Sequence, residues 1–210
     1  MYPEERHARI LELARGDGRV EVSHLATELD VTPETVRRGL TALERQGQLR
    51  RVHGGAIPIE RLGFEPGVEA RDTVMTAEKE RIAKAALALL PDEGSILIDA
   101  GTTTARLADA LPNDHELTVV TNALNTVATL ARRPNLTMLT LGGRVRSRTL
   151  AAVDVWAVDA LKDTFVDVAL ITTNGVSVER GLTTPESTEA AVKRAMMASA
   201  RRSVLLADHG

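Results

Sequence analysis

At 210 residues, 43% hydrophobic and 26% charged, the chain has the balance of a folded soluble protein with room for one large domain or two smaller ones, and disorder is excluded as its main state. With no cysteine there is no disulfide framework, thiolate metal site or cysteine nucleophile; the five histidines lack metal-ligand spacing, so neither metal nor cofactor is expected. Aromatic residues at 2% leave little for stacking on single-stranded nucleic acid, and the net charge of -3 hides a basic segment: residues 33–53 hold Arg37, Arg38, Arg45, Arg50 and Arg51 against only Glu34 and Glu44.

Met1–Arg6 lacks the charged-then-apolar layout of a signal peptide, and no apolar run reaches the roughly 18 residues of a membrane span, so a cytoplasmic protein without a membrane partner is expected. Ile10, Leu11 and Ala14 recur at helical spacing from Glu4 to Ala14, and Gly16-Asp17-Gly18 ends that helix. Ser23 is the expected N-cap of a short second helix with Leu25, Ala26 and Leu29 on one face. Asp30-Val31 forms a turn, and Thr32-Pro33 pairs a capping hydroxyl with proline at the first helical position, where a missing N–H costs nothing. The third helix buries Val36, Leu40 and Leu43 and leaves Thr35, Arg37, Arg38, Thr41 and Arg45 on other faces, with Gly47 as its expected C-cap.

Two short helices, a tight turn and a helix bearing hydroxyls and arginines make a helix-turn-helix whose last element suits a DNA major groove. The extended runs on either side of Gly54-Gly55, carrying Arg50, Arg51 and His53, read as a basic wing against phosphates. A lone charged helix is usually just a solvated face, but the capped turn, the clustered arginines and the wing occur together. The DNA-contact candidates are therefore Ser23, Thr32, Thr35, Arg37, Arg38, Thr41, Arg45, Arg50, Arg51 and His53.

Residues 1–57 are expected to form this domain, 58–74 a loosely packed linker rich in Pro and Gly, and 75–210 a second domain. Thr76 caps an expected helix from Ala77 to about Leu90. Strands are then expected at Ser95–Asp99, Leu117–Thr121, Leu136–Leu141, Asp167–Thr172 and Ser203–Ala207, with helices near 104–111, 123–132, 151–162 and 187–200. The fold class is thus α/β: an N-terminal winged helix-turn-helix, then a mainly parallel, Rossmann-like sheet covered on both faces.

The residues following those strands share one sheet edge, where an open parallel sheet binds ligands. Gly101, Thr102 and Thr103 at a helix start offer N–H groups and hydroxyls to an anion, so a phosphate is the natural occupant. Arg144, Arg146, Arg148 and Lys193 supply counter-charge, and Asn122 and Asp99 are placed to bond sugar hydroxyls. Taken singly, Gly142-Gly143 and Asn174-Gly175 are turns, and Lys193 is the i+4 ion-pair partner of Glu189.

Arg6, Val31-Thr32, Glu34-Thr35-Val36-Arg37-Arg38, Leu43-Glu44 and Arg51-Val52-His53-Gly54-Gly55-Ala56 resemble the N-terminal domain of DeoR-type transcriptional regulators. In the second half Asp99-Ala100-Gly101-Thr102-Thr103, Val120-Thr121-Asn122, Leu141-Gly142-Gly143, Asn174-Gly175-Val176, Gly181 to Pro185, Glu189 to Arg194 and Leu206 to His209 resemble the sensor domain of that family, whose fold is that of ribose-phosphate isomerase-like proteins. The resemblance implies a repressor of a carbohydrate-metabolism operon that binds double-stranded operator DNA as a dimer or tetramer and leaves it when a phosphorylated sugar binds. Asp99, Gly101, Thr102, Thr103, Asn122, Gly143, Arg144, Gly175, Lys193 and Asp208 are then the effector-site candidates, with no catalytic residues.

The chain departs from the family pattern at Gly39, where an Asp usually follows the paired arginines, and at Asp154, where a glycine is usual. The family also continues past Asp208-His209 with a serine, a lysine and further structure, so the second domain is expected to be C-terminally shortened. Two other functions stay open on this reading. One is a phosphosugar isomerase-like enzyme using Asp99, Glu189 or Asp208 as base; the other is a DNA-binding regulator whose sensor does not respond.

Overall fold

The computed structural model describes residues 2–46, 48–58, 65 and 67–208. It divides into two compact units, Met1–Pro66 and Gly67–His209. The expected cap at Gly47, much of the linker, and residues 209 and 210 lie outside the described residues.

In the first unit, α1 (Pro3–Asp17) ends at Gly18, whose N–H bonds the Ala14 carbonyl. β1 (Val20–Glu21) leads directly into α2 (Val22–Glu28), so Glu21 rather than Ser23 occupies the N-cap and Ser23 lies inside the helix. The displacement has a tertiary cause: Val20 and Glu21 are drawn into a sheet, and the Val22 N–H bonds Gly54. α3 (Pro33–Arg45) starts as its sequence dictates, with Thr32 accepting a bond from the Thr35 N–H.

β2 (Leu49–Val52) and β3 (Gly55–Pro58) form the wing, and β1 joins them in a three-stranded antiparallel sheet of order β1-β3-β2. Gly55 makes this possible, because a Cβ there would overlap the Val20 carbonyl oxygen. Ile10, Leu25, Val36, Leu40, Leu43 and Leu49 close a common core. Fully burying side chains of this size is worth about 1.5–3 kcal/mol each, which fixes the angle at which α3 is presented.

The second unit opens with α4 (Val68–Asp72), a helix inside the expected linker, tied down by the Val68 N–H on the Arg148 carbonyl. α5 (Thr76–Leu87) begins after Met75, not after a capping Thr76: Met75 is the N-cap in left-handed conformation, and Thr76 is the first helical residue. The buried Lys79 ammonium reaches back to the carbonyls of Arg71 and Val74, and burial pushes its pKa down from the usual lysine value.

The chain continues through β4 (Glu93–Ile98), α6 (Thr102–Ala110), β5 (Glu116–Thr121), α7 (Leu124–Leu130) and β6 (Leu136–Thr140). There follow β7 (Arg144–Arg146), β8 (Ala151–Val153), α8 (Val155–Lys162) and β9 (Val166–Thr172). β10 (Gly175–Ser177), β11 (Gly181–Thr183), α9 (Ser187–Ala198) and β12 (Ala200–Leu206) complete it.

Five strands form a wholly parallel sheet of order β12-β9-β4-β5-β6. Its two faces are separately packed, one by Ile96, Ile98, Leu107, Leu117 and Leu170, the other by Leu97, Val120, Ala169, Ile171, Val192 and Met196. Such burial on both faces is why the inner strands β4, β5 and β9 carry buried apolar runs, whereas the edge strands β6 and β12 are more polar and more exposed.

Two hairpins replace expected turns and helix. Residues 151–153 pair with β7 instead of opening a helix that runs to 162, and Gly175 starts a strand paired with β11. At Gly143, φ is +139° and a Cβ would overlap the Val153 carbonyl oxygen, so the first hairpin closes only over glycine. Leu150 (φ 55°) and Asp154 (φ 77°, ψ -170°) flank β8 with positive φ. The Asp154 geometry lies in a region almost restricted to glycine, at a cost of about 1–3 kcal/mol.

Candidate functional site

The outer surface of α3 is a shallow recess of about 300 Å³ lined by Glu34, Arg37, Arg38, Thr41, Ala42 and Arg45. Arg37, Arg38, Arg45, Arg50 and His53 are exposed, as a surface that meets a polyanion requires. Arg37 has a loose ion pair with Glu34 at 3.4 Å, which solvent screens. Gly39 is buried where α3 meets α1; a Cβ there would sit 3.4 Å from the His7 ring and from Ile10 Cδ1, an ordinary contact.

Not every expected DNA contact points outward. Arg51 donates to Thr41 Oγ1 (3.0 Å) and to the Arg37 carbonyl (3.4 Å), while its own N–H bonds the Glu44 carboxylate (2.8 Å). Arg51 therefore fastens the wing to α3, and the outward wing cation is Arg50. Thr32 and Thr35 share a hydroxyl contact of 2.9 Å at the helix start, and Thr41 donates back to the Arg37 carbonyl. Ser23 sits exposed on α2, with its carbonyl accepting the Thr27 hydroxyl.

In the second unit the strand order reverses direction at β4, whose neighbours are β5 on one side and β9 on the other. A crevice at the carboxyl ends of strands at such a switch is where open parallel sheets bind ligands. Asp99 lies there, only 1% exposed, accepting bonds from the Thr172 N–H and Thr172 Oγ1, both at 2.9 Å, and paired with the Lys193 ammonium. Lys193 also donates to the Thr172 carbonyl at 3.1 Å. Gly101 is the N-cap of α6, and Thr102, Thr103 and Thr104 are buried in its first turn.

Asn122 does not offer its amide to a ligand. Its Oδ1 accepts from the Ala100 N–H (3.0 Å) and its Nδ2 donates to the Ala152 carbonyl (3.2 Å), so it rivets the Asp99–Gly101 loop to β8. Nor is Lys193 the partner of Glu189. These two residues share a face of α9 but pair in different directions: Glu189 binds Arg146 at 2.6 Å and accepts the Thr149 hydroxyl, also at 2.6 Å. α9 thus holds two largely buried ion pairs one turn apart, one to the sheet and one to the hairpin.

Arg144 is likewise not a free counter-charge. Its Nε meets Asp154 Oδ2 at 2.7 Å and its Nη2 reaches Oδ1 at 3.5 Å; this bonding raises the guanidinium pKa. Gly175 begins β10, where Thr173 donates to its carbonyl (2.9 Å), and Asp208 follows β12, with its charge acting on Lys79.

Sequence reasoning missed Thr172, Glu189 with Arg146, and Asp154 as the partner of Arg144. The i,i+4 spacing of Glu189 and Lys193 showed a shared face; their partners are far away in the chain. Among the described residues no group of His, Cys, Asp and Glu is arranged to hold a metal ion, and no helix is long and apolar enough to cross a membrane.

Comparison with known proteins agrees with this division. Residues 6–61 match the family of DeoR-like helix-turn-helix domains, and residues 74–210 match the DeoR C terminal sensor domain. The HTH-type transcriptional regulator GlpR of Haloferax volcanii is 37% identical over 209 residues, which is 99% of this chain and 81% of that protein. The glycerol-3-phosphate regulon repressor of Escherichia coli is 31% identical over 209 residues, covering 100% of this chain and 82% of the relative. Among solved structures, a ribose 5-phosphate isomerase from Methanocaldococcus jannaschii overlaps 62% of this chain and 51% of its own, at 15% identity and a TM-score of 0.45.

Proposed function

Since the chain belongs to the DeoR family of transcriptional regulators, we propose that it is a cytoplasmic repressor of a carbohydrate-metabolism operon, released from its operator by a phosphorylated sugar. Residues 1–57 bind DNA, 58–74 connect, and 75–210 sense the effector. The observation that carries the reading is the face of α3, where exposed arginines stand on a helix whose start is capped and whose tilt is set by a buried core.

Arg38 reads a base edge, Arg37 and Arg45 flank it, and Arg50 on the wing meets phosphate. A single small reading head makes few base contacts, so the working form is a dimer or tetramer whose two α3 helices meet half-sites about one DNA turn apart.

In the sensor, the effector phosphate docks at the first turn of α6, on the N–H groups and hydroxyls of Thr102 and Thr103 beside Gly101. Lys193 is the adjacent cation, and moving it from Asp99 toward the phosphate shifts α9, which also holds the hairpin through Glu189 and Arg146. Such a shift releases DNA only if the effector binds the two arrangements with different affinity. Binding rather than catalysis is supported because Asp99 and Glu189, two of the carboxylates considered as an isomerase base, are held in ion pairs.

The test is fluorescence anisotropy of the protein on labelled DNA from upstream of its own gene, against random DNA, with and without a panel of sugar phosphates. Preferential binding that one phosphorylated sugar reverses is expected. Equal affinity for both DNAs would overturn the regulator reading, and specific binding that no sugar phosphate disturbs would overturn the sensor reading.

A further inference from the structure

Of Arg144, Arg146 and Lys193, the last two are largely withdrawn from solvent in pairs with the buried Glu189 and Asp99, whereas the Arg144 side chain is 57% exposed at the mouth of the hairpin. Its guanidinium is the natural first contact for an incoming anion, and Asp154 already lies against it. An exposed ion pair of this kind stabilises a fold very little.

Asp154 nevertheless holds a backbone conformation that glycine adopts without strain and aspartate does not. The residue therefore weakens the fold at this point while placing a negative charge against the most exposed of these three cations. Leu150, also at positive φ, shows that strain gathers at both ends of the same short strand. That strand is joined to the sheet edge by the Ala152 N–H on the Asn122 carbonyl and by the Asn122 side chain, which also holds Ala100.

We propose that Asp154 is a specificity-determining residue of the sensor: its carboxylate is a built-in competitor for Arg144, so that an effector's phosphate engages this arginine only by displacing it. This rests on the sensor reading above. Weak anions are thereby excluded, and the effector must carry a phosphate with enough further contacts to outcompete the carboxylate. The competitor is readily displaced because it is partly solvated and its backbone is strained.

The chain's single tryptophan, Trp156, is 74% exposed two residues from Asp154 and serves as the fluorescent probe of this loop, with calorimetry as the independent readout. Inorganic phosphate is titrated at constant ionic strength into the full chain, wild type, D154N, D154G and D154N combined with R144Q, with binding followed by Trp156 fluorescence and by calorimetry. D154N removes the charge and D154G also removes the strain, and both should tighten phosphate binding by on the order of tenfold, the effect of deleting one nearby like charge. The added R144Q should erase the gain.

Equal phosphate affinity in wild type and D154N, with binding present in both, overturns this inference and leaves the sensor reading standing. Tighter binding by D154G alone also overturns it, since strain and not charge would then be responsible. A gain that survives R144Q does the same. Absence of phosphate binding in D154N and D154G also overturns it, while the sensor reading is judged separately by release of operator DNA with sugar phosphates.

Discussion

On α3 the arginines stand in solvent, their spacing held by an apolar core behind them, whereas on α9 the charged residues Glu189 and Lys193 are turned inward, each against a partner from a distant part of the chain. The contrast follows from the ligand each surface suits. A DNA backbone is a large, regular array of charges, met by exposed cations that lose little on binding and release counterions. A small effector offers one charged group, and it changes the protein only if it competes with contacts already made. The first unit presents its charges outward; the second ties its charges into a network of largely buried ion pairs.

The largest test of that contrast is Glu189→Ala. It removes the 2.6 Å carboxylate partner of the largely buried Arg146 and leaves only Glu186, at 3.9 Å, and breaking such a pair costs up to about 3–5 kcal/mol. Denaturant unfolding should show that loss, while Glu34→Ala on the exposed α3 pair should change stability by less than about 0.5 kcal/mol. Equal effects would dissolve the distinction between the two kinds of pair. Leu40→Ala, at the fully buried centre of the first unit, should cost about 2–5 kcal/mol in the same measurement.

Next in size, Arg38→Ala should weaken binding to operator DNA by about 1–3 kcal/mol and leave random DNA little affected. Arg50→Ala should weaken both alike and lower the salt slope by about one unit. Anisotropy titrations at several salt concentrations separate the two, and identical salt slopes and losses would contradict the assignment of base and phosphate contacts.

Gly39→Ala should raise thermal stability by about 1 kcal/mol or less, because a helix interior favours alanine and the added Cβ makes only ordinary contacts. A lowered midpoint would mean that α1 and α3 pack more closely than that.

The smallest effect is acid-dependent. The Ser95 N–H and hydroxyl hold the Asp167 carboxylate below its usual range. A depressed folded pKa adds stability that is present above the unfolded value of about 4 and is lost as pH falls through the folded value. Asp167→Asn should therefore flatten the decline in stability below about pH 4 and leave its shape near neutral pH unchanged, as thermal melts across pH would show.

Much of this organisation was legible in the sequence where local chemistry decides it. Thr32-Pro33 marks the start of α3 because cap and proline act within one turn, and the five strands of the parallel sheet stand out as short apolar runs. The errors lie where tertiary contact decides. Ser23 has cap chemistry, yet sheet pairing of Val20 and Glu21 moves the start of α2 upstream. Strands of three residues, β7, β8, β10 and β11, are too short to show a period, so they read as turns or as part of a helix. α4 hides in a Pro- and Gly-rich stretch and is held by Arg148, eighty residues further on.

The candidate effector residues were gathered at one sheet edge in outline, but their contacts were not legible. Spacing along α9 shows that Glu189 and Lys193 share a face; only the fold shows that one reaches the hairpin and the other Asp99. Asp154 stood out as a departure from the family pattern, and its positive φ and its bond to Arg144 supply the physical meaning of that departure.

The central claim, that phosphate recognition in the second unit controls DNA binding by the first, is tested most directly by titrating the protein–operator complex with a phosphorylated sugar and with the same sugar lacking its phosphate, at matched ionic strength. Release of labelled DNA by the phosphorylated compound alone is the predicted result. Release by both, or by neither across the panel, would contradict it.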